Sequence, residues 1–358
     1  MLTTSISRYL VASVLLSLIA CSVAASAVDG NSSSISTITI TDSANRSVEI
    51  PYPVKSMVIL NYCAPMEVCG LGAAESVIGI DMDTEKKVEK GLLQELKSCP
   101  IIGSWDSPNY EKIAALKPDV VISFSAGWPP EPNEIQEKLS PFDIKVVGLD
   151  FYRMDVWSSE IQTLGTMLGR EAEAEAYIKH FQENLDLIAN RTSSFSQNEK
   201  KKVYFEGVKD YFTYGGAGFG CGVPGMIKAA GGADLYPERD EQYFEVNPED
   251  VAKRNPDIIF KLLKVGWGAT NDTEFKTLRE QILKRPELAK TNAVKNGQVY
   301  IISYDLVGDE GKKFGVNFLA KALYPELFKD QDPLSFYRDY FQKYQGSNLS
   351  GFFFYPTL

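Results

Sequence analysis

Histidine is almost absent from this chain, which has one, His180, among 358 residues. Imidazole is a usual nitrogen ligand of zinc and other transition metals in proteins. A site for a bare zinc or manganese ion is therefore disfavoured, and we expect no metal centre in the protein itself. One histidine also leaves few routes to a nucleophile activated by a neighbouring base. His180 falls in a helical pattern and is expected to be an ordinary helix residue.

The sequence also lacks the motifs of several enzyme and nucleic-acid-binding classes. It contains no G-x-S-x-G segment, no P-loop, and no G-x-G-x-x-G segment that opens a helix after a strand. Residues 215–220 are rich in glycine but lack the lysine of a phosphate loop. Acidic residues outnumber basic ones by 47 to 37, which gives a net charge of -10, and there are no basic runs. We therefore predict neither an enzyme nor a nucleic-acid-binding protein.

Long hydrophobic runs are missing after the first thirty residues, so no later segment is expected to span a bilayer. The beginning of the chain is typical of an export signal, because Arg8 precedes an apolar run from Tyr9 to Ala20. We predict a signal peptide within residues 1–27. It is cut either before Cys21, which follows a lipobox-like Leu-Ile-Ala and would be lipidated, or after Ala27. Residues 28–36 then form a polar tether.

Cysteines and N-glycosylation triplets are too few or too irregular to define the fold. The four cysteines after Cys21 have no framework spacing, so the sequence does not give a disulfide pairing. Five N-x-S/T triplets follow the signal and permit glycosylation without requiring it. An exported chain of this length and composition suits two lobes of ordinary size.

An internal repeat is the most informative feature of the sequence. Residues 109–122 read NYEKIAALKPDVVI and residues 247–260 read NPEDVAKRNPDIIF, an offset of 138 positions. In each copy the asparagine is expected to cap a helix, the glutamate to complement the helix dipole, and the Pro-Asp pair to end the helix before a buried strand. Two distant copies of one helix-turn-strand unit predict two similar halves.

The remaining patterns extend this plan to an α/β fold with two similar three-layer lobes. We predict an N-terminal lobe over residues 37–154, one long linker helix over 155–190, and a C-terminal lobe over 191–358. The expected strands cover residues 37–41, 47–50, 57–60, 77–80, 120–124 and 145–149 in the first lobe, and 202–205, 258–262 and 299–303 in the second. The expected C-terminal helices cover residues 222–230, 274–284, 312–324 and 333–344.

The sequence resembles the helical-backbone class of ABC importer substrate-binding proteins, which carry ferric siderophores, haem and cobalamin. The resemblance runs from about residue 37 to 328 and rests on the order and spacing of several segments. These are 38–51 (ITITDSANRSVEIP), 54–60 (VKSMVIL), 102–111 (IGSWDSPNYE), 114–123 (AALKPDVVIS), 230–234 (AGGAD) and 293–300 (AVKNGQVY).

The resemblance implies a ligand cleft between the two lobes and a function outside the cytoplasm. It implies a monomer that hands its ligand to an ABC permease coupled to an ATPase, and that meets the membrane only through an N-terminal anchor. It also implies that Glu111 and Glu249 dock on permease arginines. On the residues alone, both acids serve equally well as partners of their helix dipoles. The alternatives are an exported α/β hydrolase and a surface scavenger or sensor that is not coupled to transport.

Loops that follow predicted strands nominate the ligand site, because ligands of α/β folds meet the carboxyl ends of strands. These loops are rich in aromatic residues, whose faces suit a flat or bulky ligand. The predicted ligand-binding residues are Tyr62, Trp105, Phe124, Trp128, Tyr152, Tyr211, Tyr243 and Trp267.

The ligand class stays open among metal chelates. Trp105, Phe124 and Tyr243 resemble cleft aromatics of a cobalamin-binding member of the class, whereas Asp83 and Ala230 depart from that member. An anionic siderophore would need cations, for which the candidates are Arg153, Lys209, Lys261 and Lys264. Haem could take an axial tyrosine from Tyr62, Tyr211 or Tyr243. We expect a ferric siderophore or cobalamin before haem, with the iron or cobalt belonging to the ligand and no cofactor in the protein.

Overall fold

The computed structural model describes residues 36–125, 127–216, 222–308 and 311–358. The predicted signal peptide, Cys21 and nearly all of the tether lie outside these ranges. No helix among the described residues is both long and apolar enough to cross a membrane.

The N-terminal lobe is an α/β unit built on a four-stranded parallel sheet. Its strands are β1 (Thr37–Thr41), β2 (Ser47–Pro51), β3 (Met57–Ile59), β4 (Val77–Ile80), β5 (Gly103–Ser104), β6 (Ser107–Pro108), β7 (Val120–Ser123) and β8 (Lys145–Gly148). Its helices are α1 (Ala64–Gly70), α2 (Met82–Glu89), α3 (Tyr110–Leu116), α4 (Pro132–Leu139) and α5 (Trp157–Leu168). The sheet order is β4-β3-β7-β8, and β1 pairs with β2 as the predicted hairpin.

The C-terminal lobe follows the helix α6 (Glu171–Thr192) and repeats this plan. Its strands are β9 (Lys202–Glu206), β10 (Phe212–Tyr214), β11 (Ala233–Asp234), β12 (Tyr243–Glu245), β13 (Ile258–Leu263), β14 (Val299–Ser303) and β15 (Phe354–Tyr355). Its helices are α7 (Val223–Ala229), α8 (Pro248–Arg254), α9 (Thr273–Leu283), α10 (Asn292–Lys295), α11 (Lys312–Leu323) and α12 (Pro333–Tyr344). The sheet order is β11-β9-β13-β14-β15, with only the edge strand β15 antiparallel.

The repeated segments occupy equivalent places in the two lobes, which confirms the predicted duplication. In each copy the asparagine caps the helix, α3 or α8, and the strand that follows, β7 or β13, lies at the middle of its sheet. The aspartate of each Pro-Asp pair then binds the start of the neighbouring strand. Asp119 accepts hydrogen bonds from the backbone amides of Lys55 and Ser56 at 2.8 and 2.9 Å, and Asp257 accepts one from Lys202 at 2.9 Å.

Among the described residues, three hydrophobic cores follow from the alternation of side chains along the buried strands. On β3, Val58 faces an outer core with α3 and α4, whereas Met57 and Ile59 face the inner core. The outer face of the second sheet has its own core beneath α8 and α9. The inner faces of both sheets share one continuous core, which runs through α5, α6, α11 and α12. Each lobe therefore has helices on both faces of its sheet, as predicted.

The linker differs from the prediction of one helix over residues 155–190. Two helices, α5 and α6, meet at Gly169, which has a left-handed φ of 66°. A side chain at Gly165 would lie 2.4 Å from the Cβ of Ala174, so glycine is needed where the helices pack together. Helix α5 belongs to the N-terminal lobe, and α6 alone crosses between the lobes over about 33 Å. At the start of α6, Arg170 forms an ion pair with Glu75. In the last turn of α6, Arg191 forms an ion pair with Asp330.

Candidate ligand-binding cleft

Described residues of the two lobes line two adjoining cavities of about 490 and 600 Å³ in the cleft between the lobes. Both are lined by Tyr62 of the N-terminal lobe and by Lys264, Tyr304 and Gly308 of the C-terminal lobe. Sites of this size suit drug-sized ligands. On one side the indole N–H of Trp267 donates a hydrogen bond of 2.7 Å to the carbonyl of Lys90, which joins the two lobes beside the second cavity.

Aromatic side chains form the N-terminal wall of the cleft. They are the predicted residues Tyr62, Trp105, Phe124, Trp128 and Tyr152. Their rings pack edge to face, with centroids 5.2 Å apart for Tyr62 and Phe124 and 5.8 Å for Trp105 and Trp128. The Trp128 N–H donates to the Tyr152 hydroxyl at 3.1 Å. The rings therefore support one another and present a continuous apolar surface.

The opposite wall carries the predicted residues Tyr243 and Trp267, together with Tyr214 and Tyr304. Tyr211, which we also predicted to face the cleft, does not line either cavity. Its hydroxyl donates to the carboxylate of Glu287, and its ring packs against the outer core of the C-terminal lobe. Phe212 and Tyr214 of β10 both contact the Tyr243 ring, whereas Tyr211 precedes the strand and has a left-handed φ of 56°, so its side chain does not follow theirs toward the cleft.

Two buried carboxylates hold the loops that carry the N-terminal aromatic wall. Asp150 accepts hydrogen bonds from the backbone amide and hydroxyl of Ser125 at 2.8 and 2.6 Å. Glu160 of α5 accepts hydrogen bonds from the amides of Asp150 and Phe151 at 2.7 and 2.6 Å. Burial, helped by the nearby charge of Asp150, raises the pKa of Glu160 to about 7. Positions beside Phe124 and Tyr152 are thus fixed by groups outside the cleft.

Glu160 should make stability depend on pH in a defined direction. Its folded pKa lies above the usual 4.5, so folding favours the protonated form. This stabilisation is fully present below pH 4.5 and is lost as the pH rises through about 7. Relative to Glu160→Gln, we expect the unfolding free energy of the wild type to fall by up to about 3 kcal/mol over this range. Urea unfolding of both proteins at pH 4.5 and 7.5 measures this change. If the unfolding free energies of wild type and Glu160→Gln differ by the same amount at both pH values, the raised pKa of Glu160 is contradicted.

Lysines give the cleft a positive lining. Within the described ranges, the lysines on the cavity walls are Lys86, Lys87, Lys90, Lys264 and Lys312, against the two acids Asp83 and Asp305. Lys86 is paired with Asp83 at 2.6 Å, and the Lys87 ammonium donates to the carbonyl of Tyr62 at 2.9 Å. Our sequence-based prediction missed Lys86 and Lys87 of α2, Lys90 just after α2, and Lys312 of α11. It considered only the loops that follow strands, and these lysines belong to helices or their ends. The lysines at 86, 87 and 90, after a strand end, were the available signal.

Three of the four cations proposed from the sequence lie outside the cavities. Lys261 is buried between Glu206 and Asp210 at 3.0 and 2.7 Å, and Arg153 pairs with Asp155. The Lys209 ammonium lies 3.8 Å from the ring centroid of Phe212. Of the four candidates, Lys264 lines the cleft.

No metal centre is found among the described residues. No group of three or more His, Cys, Asp or Glu side chains there could hold a metal ion. His180 stacks on Phe336 at 5.2 Å, away from the cleft, and burial lowers its pKa. Thiolates also bind metal ions; of the cysteines, Cys63 lines the first cavity, and Cys221 lies outside the described residues.

The two acids implied by the resemblance occupy matching surface positions. Glu111 and Glu249 are each the second residue of an equivalent helix, α3 and α8, and both are exposed. The same spacing extends to the cleft, since Trp105 and Tyr243 each lie six residues before these acids and each line a cavity. Each lobe thus carries a cleft aromatic and a surface acid on one short segment.

Two similar α/β lobes bridged by one helix, with an aromatic cleft between them, define a solute-binding protein of the helical-backbone class. Residues 58–306 match the profile of the periplasmic binding protein family, and the chain belongs to that family. It is a binding protein and not an enzyme, and it is the extracytoplasmic substrate-binding component of an ABC importer.

The chain is similar to several known binding proteins, whose names specify different ligands or none. The molybdate-binding protein MolA of Haemophilus influenzae is 24% identical over 333 residues, which cover 85% of this chain and 90% of that protein. The ABC transporter substrate-binding lipoprotein YvrC of Bacillus subtilis is 27% identical over 300 residues, covering 82% and 87%. Among solved structures, the TroA-like periplasmic binding protein FepB of Veillonella parvula superimposes with a TM-score of 0.73 at 23% identity, covering 90% of this chain and 100% of that one.

Proposed function

We propose that this chain captures a bulky, anionic metal chelate of the ferric-siderophore type and delivers it to a permease. The observation that carries the proposal is the pairing of an aromatic wall with five cleft lysines. The metal belongs to the ligand, so the protein needs no cofactor of its own. After capture, Glu111 and Glu249 seat the loaded protein on the permease, and lipidated Cys21 tethers it to the membrane.

Charge favours an anionic ligand. The chain carries a net charge of -10, yet among the residues that the structure describes, lysines outnumber acids on the walls of the cavities by five to two. A cleft lined by one sign of charge concentrates field lines and raises the local concentration of oppositely charged ligands. Ammonium groups such as those of Lys264 and Lys312 can donate hydrogen bonds to carboxylate or catecholate oxygens at the rim of a chelate.

Size favours a bulky ligand over a small oxyanion. A water molecule takes up about 30 Å³ of liquid, so each cavity has room for more than a dozen waters. An ion such as molybdate, which the name of the H. influenzae relative specifies, would fill a small part of this space. The rings of Trp105, Phe124 and Tyr243 offer wide apolar contact that a small ion does not need.

Cobalamin is the second candidate, and the same aromatic surface favours it. Trp105, Phe124 and Tyr243 all line the cavities, as the resemblance to a cobalamin-binding member implies. Cobalamin would not explain the five lysines, because a corrin ring surrounded by neutral amides has little need of them. Haem, with its carboxylates and a tyrosine such as Tyr62 or Tyr243 as axial ligand, comes third.

Tryptophan fluorescence provides the test, because Trp105, Trp128 and Trp267 line the cleft and only Trp157 does not. We expect a ferric tris-catecholate to quench emission at a Kd below about 1 μM, and the affinity to fall as salt screens the lysines. A neutral ferric trihydroxamate, cobalamin, haem and molybdate form the comparison set. If one of these binds and the tris-catecholate does not, the proposed ligand class is wrong.

Native mass spectrometry of the protein taken from its host's membrane completes the test. The same spectrum should show the bound chelate and a diacylglycerol mass on Cys21. The lipoprotein name of the B. subtilis relative supports the lipidation. A chain that begins after Ala27 would instead show that Cys21 is removed with the signal peptide.

A further inference from the structure

A buried ion pair joins the two lobes beside the linker helix. The ammonium of Lys313, on α11 of the C-terminal lobe, lies 2.6 Å from the carboxylate of Glu67, on α1 of the N-terminal lobe. The side chain of Glu67 is fully buried, and that of Lys313 is 6% exposed. Neither residue lines a cavity of the cleft, and the proposed function does not use them.

Groups from both lobes and from the linker complete the pair. The Glu67 carboxylate accepts hydrogen bonds from the indole N–H of Trp157 at 3.1 Å and from the hydroxyl of Tyr177 at 2.9 Å. The Tyr177 hydroxyl also lies 3.2 Å from that of Tyr340 on α12. Five aromatic rings surround the Lys313 ammonium at 4.9–5.5 Å, from Trp157, Tyr177, Phe181, Phe314 and Tyr340. Helices α1, α5, α6, α11 and α12 therefore meet at one charged centre.

Stability alone does not account for this arrangement. Taking two charges out of water is costly, and well-packed apolar side chains in their place are often as stable or more stable. Lys313 also lies in the first turn of α11, where the helix dipole disfavours a cation. A buried pair does, however, accept only one geometry, so it can fix how two elements sit against each other.

The elements joined by the pair are those that carry the cleft. Helix α1 begins directly after Tyr62 and Cys63, which line the first cavity, and Met66 next to Glu67 lines the second. Lys312, next to Lys313, lines the first cavity, and its ammonium lies 5.4 Å from the ring of Tyr152 across the cleft. A shift at the ion pair would thus change the spacing between the two walls.

We propose that Glu67 and Lys313 are positioning residues that fix the distance between the lobes, and so the width of the cleft, before any ligand binds. The pair holds α1 against α11, while α6 supplies a hydroxyl from the bridge between the lobes. The cleft is then preorganised, and the ligand need not supply the free energy to order it.

The test compares charged and apolar versions of the pair in the ligand-free protein. Nitroxides are attached through unnatural keto side chains at the exposed positions Lys138 and Lys290, one in each lobe, and their separation is measured by pulsed electron resonance. We expect one narrow distance distribution in the wild type. In the double variant E67Q/K313M the distribution should be at least twice as wide, while the melting temperature stays close to that of the wild type. The Kd for the ferric tris-catecholate should rise at least tenfold.

The matched control is E206Q/K261M, which removes a buried ion pair that lies within the C-terminal lobe, with its atoms 3.0 Å apart. It should leave the interlobe distribution unchanged. A wild-type distribution in E67Q/K313M, or equal broadening in the control, would overturn the proposal. If E67Q/K313M does not fold, Glu67→Gln alone must broaden the distribution for the proposal to stand. The distance measurement needs no ligand, so its outcome is independent of whether the tris-catecholate is the correct one.

Discussion

Reversing the charge of both surface acids, in Glu111→Lys/Glu249→Lys, should abolish uptake while leaving ligand affinity within twofold of the wild type. The two carboxylates are exposed at the start of the equivalent helices α3 and α8, and neither lines a cavity. Like charges that face each other across a docking surface cost several kcal/mol through repulsion. Uptake of labelled chelate by cells and fluorescence titration of the purified protein separate transport from capture.

The control for this prediction has the same change of charge at the start of two other helices. Glu134 lies in the first turn of α4 and Glu274 in the first turn of α9, one in each lobe. Glu134→Lys/Glu274→Lys loses the same helix-dipole stabilisation, about 0.3–1 kcal/mol at each site. It should transport normally. Equal loss of uptake in both double variants would show that net charge, rather than docking at Glu111 and Glu249, explains the effect.

Removing the Trp105 side chain should weaken ligand binding by about 30-fold or more. Trp105 stands at the centre of the aromatic wall, with the rings of Tyr62, Phe124 and Trp128 within 6.3 Å of its own. Truncating a central aromatic anchor typically costs about 2 kcal/mol of binding free energy or more, and 1.4 kcal/mol corresponds to tenfold in Kd. Trp105 is partly exposed, so Trp105→Ala should unfold close to the wild-type temperature. Calorimetric titration with the tris-catecholate measures the change.

Tyr211 supplies a control that also examines its placement outside the cleft. Its hydroxyl binds Glu287 and its ring packs in the outer core, so Tyr211→Phe removes one hydrogen bond far from the ligand. Its affinity should equal that of the wild type. Weaker binding in Tyr211→Phe, or unchanged binding in Trp105→Ala, would mean that the ligand occupies a different surface.

The fold was predicted well because its signals are local. Strand and helix bounds in both lobes agree with the sequence patterns to within a residue or two, for example over 77–80, 299–303 and 333–344. The break at Gly169 was missed, because the apolar stripe continues through both helices and glycine alone does not end a helix. The close approach of Gly165 to Ala174 requires two helices to fold back on each other, which a linear pattern does not show.

The candidate site was predicted in part. Strand ends nominated eight aromatic residues, and seven of them line the cavities. Tyr211 failed because a loop position does not tell which way a side chain faces once the chain turns at its left-handed φ of 56°. The lysines of α2 were missed because their approach to the cleft depends on how that helix packs.

The sequence by itself determined the twin lobes, since each copy of the repeat contains its own cap, helix, stop and buried strand. The tertiary structure alone decided how those lobes meet. Glu67 and Lys313 are 246 positions apart, and nothing near either residue marks a partner. Short-range patterns encode elements through backbone hydrogen bonding and the period of apolar residues. Pairing of distant charges and the shape of a cleft arise only when helices from both halves pack around one bridge.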